Sequence, residues 1–237
     1  MRELLDAMEQ LSTRCDELIP DLIAQTPVAF ATNPLDYAKI PAQTYIEKFG
    51  HLGAKTVMLG MNPGPWGMAQ TGIPFGATGI VRDLLAIDEE VFQPKGAHPK
   101  RPVEGISMNR QEVSGTRLWD LLSEHYGGAE EIHKNVYLVN HCPLLLISEE
   151  GKNLTPDKLS GRAARELLAV CDQHLIDVVD ALKAVRIIGI GKYAEKRASR
   201  AISGLEITSV WHPSPASPLA NRNGGADWKA NVLSALI

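Results

Sequence analysis

Three polar side chains sit where apolar runs of this 237-residue chain break into irregular loops: Asn62, Asn140 and His212. A carboxamide both donates and accepts, so it can read the edge of a nucleobase through two hydrogen bonds. A neutral imidazole can donate to an oxygen on which negative charge develops. The loop around Asn62, GMNPGPWGMAQTGIPFG, carries Gly60, Gly64, Gly67, Gly72 and Gly76 together with Pro63, Pro65 and Pro74. Such a segment cannot be regular; its glycines let backbone approach a ligand, and its prolines stiffen it. Phe75 is its informative aromatic residue. Asn-Pro-Gly is also ordinary turn vocabulary, and a lone Asn or His is usually structural. The three gain meaning only if one edge of the fold collects them. A fourth loop, Gly189-Ile190-Gly191-Lys192-Tyr193-Ala194, matches the weak G-x-G-x-x-A dinucleotide pattern. It fails the P-loop pattern, because Tyr193 stands where Ser or Thr belongs. Its physical content is a strand-to-helix turn whose amides and Lys192 can hold a phosphate.

The elements that must position these loops alternate along the chain. Leu4, Leu5, Met8, Leu11, Cys15, Leu18, Ile19 and Leu22 fall at helical spacing, so residues 1–23 read as an amphipathic helix that Pro20 ends or kinks. A loop-rich stretch with Pro27, Pro34 and Pro41 follows, and residues 1–50 read as a helical arm packed on the rest. Strands are expected at 55–60, 135–140, 185–190 and 205–210. Helices are expected at 80–87, from Ser114 as N-cap to Glu124, from Thr155 to about Lys183, at 192–203 and from about Asp227. Residues 93–110, with three prolines, read as an irregular insert. Strands separated by helices imply an α/β three-layer sandwich with a central, mostly parallel four-stranded sheet flanked by helices, in one domain over 1–237. In open α/β sheets ligands bind at the carboxyl ends of strands, so the four loops should meet there.

Composition sets the outer bounds. With 44% hydrophobic and 22% charged residues the chain has apolar mass for a core, which excludes a disordered tail or a collagen-like rod. The net charge of −4 argues against a bulk-basic nucleic-acid binder. The deficit is local, however: residues 1–21 alone sum to −4, while 183–200 sum to +5 and 95–117 to +3. Cys15, Cys142 and Cys171 are far apart in sequence and form no C-x-x-C pair, so no metal site, iron–sulfur cluster or disulfide framework is expected. The start is neither a signal peptide nor a membrane span, which points to a cytoplasmic protein without membrane contact.

Five runs, GMNPGPWGMAQTGIPFG, EVSGTRLW, NHCPLLLISEEGKNLTPDKL, GIGKYAEKRA and HPSPASPLAN, together resemble the single-strand-selective monofunctional uracil-DNA glycosylases of the uracil-DNA glycosylase superfamily. The resemblance spans residues 55–237 in order. It implies that Asn62 positions water, Phe75 stacks on the base, Asn140 reads uracil and His212 supports the leaving group. It places Gly60, Met61, Gly64 and Met68 around the substrate, Gly64 and Met68 on the C5 side of the base. Lys192, Pro213, Ser214, Pro215, Ala216 and Arg222 become candidate DNA contacts. Where the family follows HPSP with a penetrating arginine, this chain has Ala216, which leaves either Pro215, Leu219 or Arg222 to take that place or an enzyme that depends less on a penetrating side chain. The implied activity is hydrolysis of the N-glycosidic bond of uracil and related damaged bases in DNA, by a monomer without cofactor or metal. The implied partner is lesion-containing DNA, single- and double-stranded, in a nucleoid or a nucleus. A dinucleotide-dependent oxidoreductase built on Gly189–Ala194 and a non-catalytic module for damaged or single-stranded DNA stand as the alternatives.

Overall fold

The apolar runs expected as strands assemble into one parallel sheet in the computed structural model, which describes all residues, Met1–Ile237. The chain enters through α1 (Arg2–Gln25), β1 (Phe30–Thr32), α2 (Pro34–Tyr37) and α3 (Lys39–Phe49). Next come β2 (Thr56–Gly60), α4 (Met68–Thr71), a π-helical turn at Ile80–Leu84 and a 3-10 turn at Gly105–Ser107. Helices α5 (Val113–Tyr126) and α6 (Ala129–Asn135) lead into β3 (Val136–Asn140), β4 (Leu145–Ile147) and β5 (Asn153–Leu154). The remainder is α7 (Arg162–Leu182), β6 (Arg186–Ile190), α8 (Lys192–Ala201), β7 (Glu206–Val210), α9 (Pro218–Asn221) and α10 (Ala226–Ala235).

The main sheet has the order β3-β2-β6-β7, with every pair parallel. Its central strands are continuous hydrophobic runs because helices cover them, as parallel sheets require. Every residue of β3 is buried, whereas the edge strand β7 buries only Val210. Parallel pairing in register puts Gly60 directly beside Asn140. Beyond the strand ends the pairing persists: the His141 amide donates to the Gly60 carbonyl at 3.0 Å, and the Cys142 amide to that of Met61 at 2.9 Å. The carboxyl ends of all four strands therefore open on one edge.

Several local expectations are corrected. A second, antiparallel sheet of order β1-β4-β5 was not foreseen; strands of three, three and two residues are too short to show a period. Pro20 does not end α1, which continues to Gln25; the proline is exposed, so the bond it deletes lies on the solvent side. The proline-rich stretch after it is not all loop. Pro34 occupies the first turn of α2 and Pro41 that of α3, where a missing amide hydrogen is harmless. Ser114 lies inside α5 rather than capping it. Thr155 opens only a 3-10 turn, Pro156–Lys158, and α7 begins at Arg162 after Gly161, whose φ is +98°.

The arm shares the core of the body. One hydrophobic cluster of 51 buried residues runs from Leu4 to Val232 and includes Met8, Leu11, Cys15 and Leu22 of α1. Within the arm, the Asn33 amide ties α1 to the start of α2, donating to the Ser12 carbonyl at 3.1 Å and the Asp16 carboxylate at 3.0 Å. The three cysteines, distant in sequence, meet in this core, fully buried. Burial and the neighbouring thiols of Cys142 and Cys15 push the Cys171 thiol well above its ordinary value.

His133 on α6 is fully buried and stacked on Phe49, with ring centroids 4.1 Å apart. Its Nδ1 lies 2.7 Å from the Ala129 carbonyl, which requires a proton there, so Nε2 accepts from the Tyr45 hydroxyl at 3.0 Å. Burial lowers its pKa to about 4. Between that value and the ordinary ~6.5 the unfolded chain binds a proton that the folded protein refuses. The stability contribution is therefore full above ~6.5 and declines as pH falls toward 4, by about 3 kcal/mol. Thermal melts should show Tm dropping over this window, and His133→Gln should flatten the drop. An unchanged pH dependence in that variant would contradict the assignment.

Candidate active site

The side chain of Asn140, at the end of β3, is 6% exposed. Its Nδ2 donates to the Met68 sulfur at 3.2 Å, a weak acceptor that a better one can replace. Its Oδ1 is buried and has no donor at all. A buried acceptor left unpaired costs ~1–3 kcal/mol, which a ligand N–H restores. Its neighbour in register is glycine for a reason. A Cβ on Gly60 would lie 2.1 Å from Asn140 Oδ1 and 2.7 Å from the Phe75 ring. The amide and the ring thus share the space that Gly60 leaves open.

Phe75 is 6% exposed and adopts φ +55°, a left-handed conformation that a bulky residue rarely takes. Such strain costs about 1–3 kcal/mol and persists only where surroundings impose it. Here the Ala77 amide donates to the Phe75 carbonyl at 2.9 Å, and the Thr71 hydroxyl donates to the Gly76 carbonyl at 3.0 Å. Gly115 of α5 presses on the Phe75 carbonyl; a Cβ there would come within 2.1 Å of it.

His212 follows β7 and lies with its ring centroid 6.3 Å from that of Phe75. Its Nδ1 accepts from the Ser214 amide at 3.1 Å, which places the proton on Nε2. Burial lowers its pKa, so the ring is neutral and presents an N–H. Asn62, two residues past β2, donates through Nδ2 to the Leu154 carbonyl at 3.5 Å. That bond orients the amide and leaves Oδ1 as an acceptor. Asn153 ties β5 to the same loop, donating to the Pro63 carbonyl at 3.3 Å.

The sequence-expected residues thus fall into two groups. Gly60, Met61, Asn62, Gly64, Met68, Phe75, Asn140 and His212 belong to the loops at the carboxyl ends of β2, β3 and β7. The outer candidates form a rim. Arg117 holds it to α5, donating to the Pro213 carbonyl and to Asn221 Oδ1, both at 3.1 Å. Asn221 in turn donates to the Pro215 carbonyl at 2.7 Å, and the Ala216 amide donates to the Ser214 hydroxyl at 3.2 Å. Pro215, Ala216 and Leu219 are left exposed. Lys192 and Arg222 are not free: Lys192 pairs with Glu195 at 2.6 Å and Arg222 with Asp227 at 3.0 Å.

Glu112 was missed. Its carboxyl lies against the Asn62 loop, where a Cβ on Gly64 or Gly67 would come within 2.1 or 2.0 Å of its oxygens. Burial raises its pKa to about 7. The signal was present, since Glu112 opens the run EVSGTRLW, but nothing in that run says that it folds back onto Gly64 and Gly67, far upstream in the chain.

The dinucleotide pattern has a packing explanation. A Cβ on Gly189 would come within 2.4 Å of the Glu195 amide, so this glycine lets α8 approach β6. Gly191 takes φ +91°, and its amide already donates to the Val210 carbonyl at 2.8 Å. The two glycines of the pattern are thus accounted for by packing and backbone pairing.

The parallel sheet and its strand-end loops bring these side chains to one edge of the fold. Residues 47–236 match the family model of the uracil DNA glycosylase superfamily, and the chain belongs to that superfamily. Within it, the chain is 38% identical to the single-strand selective monofunctional uracil-DNA glycosylase of Rattus norvegicus, over 93% of this chain and 81% of the relative. It is 37% identical to the corresponding protein of Mus musculus, over 99% and 84%. Among solved structures, SMUG2 of Pedobacter heparinus shares the fold, with TM-score 0.60 and 18% identity over 87% of this chain and 85% of that one.

Gly60→Ala should leave the protein folded, because Gly60 lies in an ordinary strand, yet displace Asn140 or Phe75. Base release should fall at least about 100-fold, the scale of losing one placed hydrogen-bonding group. Wild-type rates in this variant, measured in single turnover, would show that the two side chains do not share that space.

Proposed function

We propose that the protein is a monofunctional uracil-DNA glycosylase that hydrolyses the N-glycosidic bond of uracil and related damaged bases, leaving an abasic site. The observation that carries this reading is the unpaired, buried Oδ1 of Asn140 facing Phe75 across Gly60. The target base leaves the stack and enters the strand-end pocket, since its glycosidic bond is out of reach inside a duplex. Phe75 stacks on it. Asn140 Oδ1 accepts from uracil N3–H, and Nδ2 turns from Met68 to donate to O4. Cytosine offers the opposite pattern and would leave the amide unpaired, a penalty of ~1–3 kcal/mol per group.

As the bond breaks, the sugar becomes oxocarbenium-like and charge flows onto uracil O2. His212 donates from Nε2, its opposite nitrogen fixed by the Ser214 amide. Asn62 Oδ1 holds the attacking water. An amide is not a strong base, so the chemistry leans on leaving-group stabilisation. No lysine of the site loops is placed as a Schiff-base nucleophile, in keeping with hydrolysis.

The decisive assay is alkali-labile strand breakage of oligonucleotides containing uracil, with cytosine and other deaminated bases for comparison. His212→Ala should slow uracil release by about 10²–10³ while affinity for abasic DNA changes little. Equal losses in both would remove His212 from transition-state stabilisation.

The rim supports action on single strands first, with duplex as the harder substrate. Arg222 is paired with Asp227, and the largest of the exposed apolar side chains of the rim is Leu219 of α9, 44% exposed. Apolar wedges of this kind unstack a base step. Leu219→Ala should therefore reduce release from duplex DNA about tenfold and leave single strands nearly unaffected. A parallel loss on both substrates would exclude a wedge.

A further inference from the structure

The charge pattern of the folded chain differs from that of its sequence. Half of the cations of the run 183–200 meet a carboxylate: Lys192 pairs with Glu195, Arg186 with Glu206, and Arg197 with Asp172. Those of the insert do not. Lys95, Lys100, Arg101 and Arg110 make no ion pair with any carboxylate of the protein. Two of these cations gather on one side chain of the site loop. The Arg110 guanidinium lies 4.3 Å from the centroid of Trp66 and that of Arg101 5.5 Å from it. Trp66 stands between Asn62 and Met68 in chain order and is half-buried.

The two arginines are rich in unused donors. The one hydrogen bond of the Arg101 side chain is a long one, 3.4 Å to the Lys100 carbonyl, and its Nε is buried without a partner. No protein acceptor takes a hydrogen bond from the Arg110 side chain. Five N–H groups in a planar fork suit phosphate oxygens, and an aromatic face holds such a fork in place.

The insert is built onto the loop, not loosely apposed to it. Gln70 on α4 is fully buried and bridges the two. Its Nε2 donates to the Pro65 carbonyl at 2.8 Å and the Pro102 carbonyl at 2.9 Å. Its Oε1 accepts from the Glu104 amide at 2.8 Å and the Gly105 amide at 3.2 Å. One buried amide thus fixes Trp66 and Arg101 relative to each other, beside the loop that carries Asn62.

We propose that Trp66, Arg101 and Arg110 form a phosphate clamp that holds the DNA strand next to the extruded nucleotide. The ligand class is the phosphodiester backbone of a polynucleotide, bound without regard to base. This rests on the reading of the pocket as a uracil site, because the clamp sits on the loop that would carry the water-holding Asn62. It explains how an acidic protein engages a polyanion: two arginines without carboxylate partners gather on the loop that carries Asn62, while the acidic excess lies on α1.

The test uses the full-length protein and fluorescence anisotropy with a uracil-free single-stranded oligonucleotide, titrated at several KCl concentrations. Each phosphate contact on a single strand adds about 0.7 to the slope of log affinity against log salt. Arg101→Ala/Arg110→Ala should lower that slope by about 1.4 and weaken binding about tenfold or more at low salt. Lys192→Ala/Arg222→Ala, whose cations are already paired, should change the slope less. Arg110→Ala alone, at an exposed position, keeps the test decisive if the double variant folds poorly; it should lower the slope by about 0.7. A wild-type slope and affinity in the arginine variants would overturn the clamp. Uracil release by the wild-type protein is scored separately: its absence would overturn the glycosylase reading, while the uracil-free strand still judges the clamp.

Discussion

Much of the structure depends on one unpaired hydrogen-bond acceptor being kept dry and aimed. The Asn140 carbonyl oxygen is buried at the end of β3 with no protein donor. The parallel register places it against Gly60, the one residue type that leaves room for it and for the Phe75 ring. The amide pairing that runs on past the strands, His141 to Gly60 and Cys142 to Met61, prevents the two loops from splaying. The left-handed backbone at Phe75 is imposed by Thr71, Ala77 and Gly115 around it. A site that offers an unsatisfied group discriminates by what it refuses: a base without the matching N–H leaves the penalty in place.

Much of this was legible in the sequence, and for identifiable reasons. β2, β3 and β6 are five-residue, largely apolar runs with turn residues after them, long enough to show as strands and buried enough to lack alternation, while the edge strand β7, EITSV, is mostly half-exposed. Asn62, Asn140 and His212 were visible because each stands just past or at such an end. The residues that hold them were not. The small sheet β1-β4-β5, which supplies the Leu154 carbonyl under Asn62, has strands too short for periodicity. Glu112, Gln70 and Arg117 act through contacts made far along the chain, and no local pattern encodes such contacts. Prolines misled in both directions: Pro20 is accommodated within α1, and Pro34 and Pro41 begin helices. Each is explained by position in a helix, which residue type alone does not give.

Charge shows the same division between sequence and fold. Run sums pointed to 183–200 as the stronger basic stretch. Folding pairs three of its six cations with carboxylates, whereas in the weaker stretch, 95–117, it gathers Arg101 and Arg110 around Trp66 without a carboxylate partner. The dinucleotide-like glycines likewise turned from a ligand motif into packing once Gly189 met α8 and the Gly191 amide met Val210. In both cases what decides is whether a group already has a partner within the protein.

That criterion also selects the most direct test. Asn140→Asp keeps size and shape but replaces the donor at O4 with a second acceptor. Single-turnover uracil release by this variant should fall about 100-fold or more, the consequence of one lost hydrogen bond and one repulsive contact in a desolvated pocket, while abasic DNA binds as before. Release at the wild-type rate would contradict the account, because Asn140 would then not be the group that reads the base.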